Sequence, residues 1–188
     1  MIRHLLPAII LATALSVAGA PAAAAEQDDG YDQDEIIDAA VGFFGATSAG
    51  LANVIEKVFA ELGRPNGFIV GEEIGGAFGI GVRYGKGTLN RKGGAVRKVF
   101  WQGPSIGFDV GGNVAKAFIL VYNLNDADSI FQRFPGVEGT IYFVAGFSVN
   151  YNQSGELVLA PIRTGVGWRV GANFGYLHFT REHSWIPF

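Results

Sequence analysis

From Asp34 onward, apolar residues recur at intervals of three and four: Ile36, Ile37, Ala40, Val41 and Phe44. That spacing lines one face of an α-helix, and Asp34 stands where a cap belongs. Gly45 to Gly50 breaks the pattern. Leu51, Val54, Ile55, Val58, Phe59 and Leu62 then form a second stripe that stops at Gly63, with Pro65 beyond, the stop signals of a helix. Glu56, Lys57 and Glu61 give the polar face no positive excess, so this helix is expected to pack on a sheet rather than lie on a membrane surface.

Beyond Gly67 the pattern shifts to short runs rich in Val, Ile, Phe, Tyr and Gly, separated by turn-like clusters. This predicts strands near 68–72, 76–84, 97–102, 105–112, 114–123, 138–150, 156–161, 163–173 and 175–181. Asn125 to Phe134 reads as a short helix capped by Asn125 or Asp126. Turns are expected at Gly85-Lys86-Gly87, Arg91 to Gly94, Gly111-Gly112-Asn113, Asn152 to Gly155 and Gly171 to Gly175, which implies an antiparallel meander. Glycine inside strands, as at Gly79 and Gly81 or Gly165 and Gly167, suits a sheet that curls and closes. The predicted fold is α+β, mainly β: a small antiparallel β-barrel with two N-terminal helices and one short internal helix, forming a single domain over residues 34–188.

Residues 1–25 read as a cleavable secretory signal. Arg3 supplies the positive start, Leu5 to Ala20 the apolar stretch, and Ala23 and Ala25 the small-residue cleavage site before Glu26. An uncleaved anchor helix is the alternative, but spanning a bilayer takes roughly 20 apolar residues and this stretch carries Pro7 and Pro21. Residues 26–33 form an acidic leader, with Glu26, Asp28, Asp29 and Asp32 followed by Asp34 and Glu35 and no base among them. It reads as a solvated segment, with a contact arm for a basic partner as the other reading. A hydrophobic content of 49% is that of a chain with a core, not of a disordered one. The absence of cysteine removes disulfides, thiol chemistry and a lipidation site, so packing must carry stability in an oxidising compartment.

An outer-membrane barrel would alternate apolar outside with polar inside. Ala117 to Tyr122 and Ile141 to Phe147 are instead apolar on both faces, and Pro187 precedes the terminal Phe188 where a ladder donor belongs. The expected protein is not integral to the membrane. If Phe118, Tyr122, Phe143 and Phe147 fill the barrel, they leave no room for acyl chains; if they do not, the chain could serve as a lipid carrier.

No catalytic signature emerges, and neither a cofactor nor a metal is expected. Residues 26–188 hold only His178 and His183, and no GxSxG elbow is present. Gly45-Ala46-Thr47-Ser48-Ala49-Gly50 has the wrong spacing for one and reads as a connector. Glu72 and Glu73 would point to opposite faces of a strand, so a shared glycosidase site is disfavoured and a solvated turn is preferred. His178, Glu182 and His183 fall short of a metal site. Asn123, Asn125, Asp126 and Asp128 lack the glycine and distal glutamate of a calcium loop. An enzyme remodelling peptidoglycan or lipopolysaccharide, using Glu72, Glu73 and His178, stays as an alternative.

One cluster stands out. Arg83, Lys86, Arg91, Lys92, Arg97 and Lys98 occur with no acid among them, and Trp101 follows. On strand ends and a glycine-rich turn they would make a positive patch for an anionic lipid, lipopolysaccharide or an envelope glycan, with Trp101 as an amphipathic ring. The competing reading is an edge hairpin that uses Lys and Arg against aggregation. Nucleic acid is not an expected partner of an exported chain; an envelope protein is another candidate.

The segment Trp101-Gln102-Gly103-Pro104-Ser105-Ile106-Gly107-Phe108-Asp109-Val110-Gly111-Gly112, followed by Phe118-Ile119-Leu120-Val121-Tyr122-Asn123, resembles the alphaproteobacterial family of periplasmic envelope integrity protein A. The likeness runs from Asp34 to Phe188. More remotely, the order of glycine-rich strand pair, Pro-Ser segment, Gly-Gly, apolar strand and short helix is similar to the lipid-binding SYLF domain. The first resemblance implies a periplasmic β-barrel that maintains the cell envelope, and it supplies no catalytic residue. The second implies binding of anionic lipid, although the basic leader used for it is replaced here by the acidic segment Glu26 to Glu35. The combined expectation is a non-enzymatic periplasmic factor for envelope integrity that binds an anionic lipid or glycan.

Overall fold

The protein is described from a computed structural model, which covers residues 30–45, 49–144, 146–164 and 175–184. Side chains of 76–80 and 105–113 fall outside that description, as do the predicted signal segment, Ser48, most of the strand expected over 163–173, and Pro187 and Phe188. Two helices lead, α1 (Gln33–Phe44) and α2 (Ala49–Leu62), followed by strands β1 (Gly67–Arg91), β2 (Arg97–Tyr122), β3 (Arg133–Pro135), β4 (Tyr142–Val144), β5 (Phe147–Val149), β6 (Asn152–Ser154), β7 (Leu157–Thr164) and β8 (Tyr176–Thr180). A single 3-10 turn, Ala127–Ile130, precedes β3.

Both helices match their stripes, with shifted ends. Asp32, not Asp34, is the N-cap of α1, because Glu35 reaches back to accept the Asp32 backbone N–H at 2.7 Å. Helix α2 begins at Ala49, inside the expected break, and ends at Gly63, whose φ of 76° is a left-handed cap open to glycine. The short internal helix is only the four-residue 3-10 turn, capped by the Asp126 side chain on the Asp128 N–H.

The strand reading needs a larger correction. The runs expected at 68–72 and 76–84 are one strand, and those at 97–102, 105–112 and 114–123 are another. Gly85-Lys86-Gly87 and Gly111-Gly112-Asn113 lie inside these strands rather than at turns. Glycine weakens a strand without ending it where ladder partners are present, as for Gly85 and Gly87, whereas Gly111 and Gly112 lie in the irregularity opposite Gly75/Ala77. β1 and β2 pair from Gly67↔Val121 to Leu89↔Arg97, with a register shift at Gly75/Ala77 that bends the ribbon. The turn at Arg91 to Gly94 does connect them, the Gly94 N–H donating to the Arg91 carbonyl at 3.0 Å. The expected strand 138–150 splits into β4 and β5, and Asn152 to Ser154 is β6, so the turn there is Gly155-Glu156.

The C-terminal half of β2 pairs with β7, and its N-terminal half with β8. β8 continues to β3, β6 pairs with β7, and a bridge between Gly136 and Asn152 joins the two arms. The circuit β2–β8–β3–β6–β7 is thereby closed by backbone hydrogen bonds, while β5 and β4 extend beyond β7. Pairing throughout is antiparallel.

Strand parity sorts the side chains. Odd positions of β2, namely Val99, Trp101, Ala117, Ile119 and Val121, join Ile69, Leu89, Phe134, Leu159, Leu177 and Phe179 in the barrel interior. Even positions Phe118, Leu120 and Tyr122, with Phe147, Ala160 and Ile162, form a second core on the outer face beneath Ile36, Ala40, Leu51, Val54, Ile55 and Val58 of the helices. A strand apolar on both faces is therefore what a helix-covered barrel wall requires. Phe118, Tyr122 and Phe147 lie under the helices instead of filling the barrel, and Phe143 is 49% exposed.

Trp101 is the largest side chain of this interior cluster. It is 1% exposed, tilts on Phe179 at 5.6 Å between centroids, and lies over Gly85, its cross-strand neighbour. Any Cβ at Gly85 would overlap that ring; one at Gly71 would overlap the Lys86 carbonyl and approach Gly87. These bare positions let the two halves of β1 touch and the barrel close around the indole.

Candidate functional site

Two polar constellations arise from this wall, one inside it and one outside. Inside, Glu73 of β1 and Arg163 of β7 form a fork: Arg163 Nε donates to Glu73 Oε2 at 2.7 Å and Nη2 to Oε1 at 3.0 Å. Trp101 Nε1 also donates to Glu73 Oε1 at 2.8 Å, and Arg163 Nη1 donates to Asn150 Oδ1 at 2.9 Å. Asn150 continues to Asn152, whose amide donates to the Phe134 carbonyl. Burial alone would push the Glu73 carboxyl up, but the charge and hydrogen bonds of Arg163, the charge of Arg83 and the Trp101 N–H hold it down to about 2. Arg83 donates to the Pro104 carbonyl, and burial together with the charge of Arg163, partly offset by Glu73, lowers its pKa to about 10. The cleft beside it, lined by Arg83, Asn150, Asn152, Gly175, Tyr176 and Leu177, has a volume near 10 Å³, room for about one water. A carboxylate held ionised by a bidentate guanidinium is neither a proton acceptor near neutral pH nor open to substrate; it pins β1 to β7.

Outside, a groove of about 330 Å³ is lined by Glu72, Ile74, Tyr84, Gly85, Lys86, Val114 and His183. Ile74 and Val114 face each other across the β1–β2 ladder and are 52% and 58% exposed, a small apolar platform. Glu72 and Lys86 are exposed, and neither has an ion-pair partner among the described residues. Tyr84 stacks on His183 at 6.2 Å, and Phe100 meets the same imidazole edge-on.

The basic residues read from the sequence share the β1–β2 hairpin but do not form one open patch, because most of them are already engaged. Lys86 lines the groove. Arg83 points into the wall and Trp101 is buried in the core. Arg91 donates to the Leu124 carbonyl, Lys92 pairs with Glu35 at 2.6 Å and sits over Tyr31, Arg97 pairs with Asp128 at 2.7 Å, and Lys98 lies over Phe100. Parity turned Arg83 and Trp101 inward, and helices or turns from elsewhere in the chain supplied partners for the others. Glu72 and Glu73 do face opposite ways, but in mid-strand rather than in a solvated turn. Among the described residues no group of three or more His, Asp or Glu is placed to hold a metal.

Sequence reasoning missed Ile74, Tyr84 and Val114 as surface residues and missed the Glu73–Arg163 pair altogether. A signal existed for the first set: Glu72 and Ile74, then Tyr84 and Lys86, share strand parity along glycine-rich stretches. The ion pair joins residues 90 positions apart and leaves no local trace.

A curled antiparallel barrel with an apolar cluster inside it and two helices on its outer face, carrying a small surface groove, is the class that these features define. The envelope integrity protein A family matches residues 29–188, and the chain belongs to that family. Its role is accordingly one in envelope integrity, at the cell envelope. The chain is also similar to a crystal structure described as a beta-barrel-like, uncharacterized protein from Brucella abortus, at 45% identity and a TM-score of 0.78, covering 85% of this chain and 99% of that one. No curated protein matches. Among the described residues no helix is long and apolar enough to cross a membrane.

Proposed function

We propose that the chain is exported to the periplasm, cleaved after Ala25, and maintains the envelope without catalysis, by holding an envelope component in the groove bounded by Glu72, Ile74, Tyr84, Lys86, Val114 and His183. The observation that carries this reading is the groove itself: an exposed aliphatic pair beside a carboxylate and an ammonium that have no ion-pair partner among the described residues. Family membership supports the envelope setting, and the Arg3, Leu5 to Ala20 and Ala23-x-Ala25 pattern supports export. Trp101, Phe134 and Phe179 occupy the interior where an acyl chain would lie, which favours surface binding over a lipid carrier. The engagement of Arg91, Lys92 and Arg97 by Leu124, Glu35 and Asp128 moves the expected contact from the basic hairpin to the groove, with Lys86 the member shared by both readings.

Complementation tests it. A deletion strain should lose resistance to detergent and regain it with the wild-type gene. Rescue should fail for a gene lacking residues 2–25 and for Ile74→Ser/Lys86→Ser, while Arg91→Ser/Lys92→Ser should still rescue. Full rescue by the groove double variant, or by the leaderless gene, would refute the proposal.

A further inference from the structure

We infer that the ligand of this groove is a short peptide carrying both a free amine and a free carboxylate on small aliphatic residues, the chemistry of cell-wall stem peptides. The inference rests on the groove reading above and adds the class of ligand. Three features select it. The groove presents opposite charges, Glu72 and Lys86, which a dipolar ligand satisfies and a purely anionic one does not: a lipid phosphate drawn by Lys86 would also meet the Glu72 carboxylate. Its apolar surface is aliphatic, Ile74 opposite Val114, shaped for methyl groups. A neutral glycan would use neither charge and would seek an aromatic face, yet Tyr84 already gives one face to His183. The volume of about 330 Å³ lies at the lower end of ligand sites, matching a few small residues rather than a polymer strand or an acyl chain.

In this arrangement Glu72 accepts from the ammonium of the peptide, Lys86 donates to its carboxylate, and alanine methyl groups rest on Ile74 and Val114. Gly85 lends only backbone to the groove, since a side chain there would point the other way, into the buried Trp101 ring.

The experiment is an NMR and calorimetric titration of purified residues 26–188 with the tetrapeptide L-Ala-γ-D-Glu-meso-diaminopimelate-D-Ala. Parallel arms use the same peptide with acetylated amines, an N-acetylglucosamine tetramer, and phosphatidylglycerol vesicles. Amide shifts confined to residues 72–74, 84–86, 114 and 183 are expected with the free peptide. Glu72→Gln and Lys86→Gln should each weaken binding by about three- to tenfold, and acetylation should reproduce the Glu72→Gln loss. Both substitutions are at exposed positions, and an unchanged amide spectrum elsewhere verifies the fold. Binding of the saccharide or the vesicles in this groove, without the peptide, would overturn the peptide inference and keep the groove. Shifts that fall elsewhere, or none in any arm, would overturn both.

Discussion

Replacing Arg163 with Met would leave Glu73 buried, its carboxyl 7% exposed, with only the Trp101 N–H as a described hydrogen-bond partner. The cost can be worked two ways. Holding a carboxyl at about 2 instead of its ordinary 4.5 corresponds to about 3 kcal/mol at 1.36 kcal/mol per pH unit. Breaking a buried pair by removing one partner costs about 3–5 kcal/mol. The two agree, and either is a large share of the roughly 5–15 kcal/mol that holds a domain together. Urea unfolding at pH 7 followed by tryptophan fluorescence should show Arg163→Met destabilised by about 3–5 kcal/mol, or roughly 6–20 °C in Tm for a chain of this size. The companion variant Glu73→Gln/Arg163→Met should recover about 2 kcal/mol or more, since a neutral amide can be buried where a lone carboxylate cannot. A loss below about 1 kcal/mol, or a double variant no better than the single, would refute the view that this pair ties β1 to β7.

The same carboxyl fixes an acid response. Its pKa is depressed on folding, so its contribution is complete above the ordinary value of 4.5 and is lost as pH falls toward about 2; urea midpoints between pH 5 and 2 should fall more steeply for wild type than for Glu73→Gln. Tyr151→Phe removes the bonds to Glu61 at 2.5 Å and to Tyr142 at 3.0 Å that tie α2 to the sheet. It should cost about 1–2 kcal/mol and speed amide exchange in α2 while leaving β2 protected. Gly85→Ala should cost about 2 kcal/mol or more and collapse the near-ultraviolet signal of the Trp101 environment, because the methyl overlaps the indole. By contrast, Gly42→Ala, in α1 with open space around it, should be neutral or stabilise by up to about 1 kcal/mol in the same thermal melt.

Helix periodicity is a local property, so both leading helices and the stop at Gly63 were legible in the chain, to within a residue or two at their ends. Strand content and antiparallel order were legible for the same reason, and Ala117 to Tyr122 announced a wall covered on both sides. The length of β1 and β2 was not. Gly85-Lys86-Gly87 and Gly111-Gly112-Asn113 have the composition of turns; ladder partners on the opposite strand keep the first extended, while Gly111 and Gly112 fall in the irregularity between Ala77↔Asp109 and Gly75↔Asn113. Nor could the sequence say which parity faces inward, and that choice decided the site. It sent Trp101, Glu73 and Arg83 into the wall, and it left Ile74, Val114 and Lys86 outside. The partners that engaged the basic cluster, Glu35 for Lys92, Asp128 for Arg97 and the Leu124 carbonyl for Arg91, come from segments distant in the chain. Charge, hydropathy and period are written residue by residue, whereas register and neutralisation belong to pairs, and a pair exists only once the chain has closed on itself.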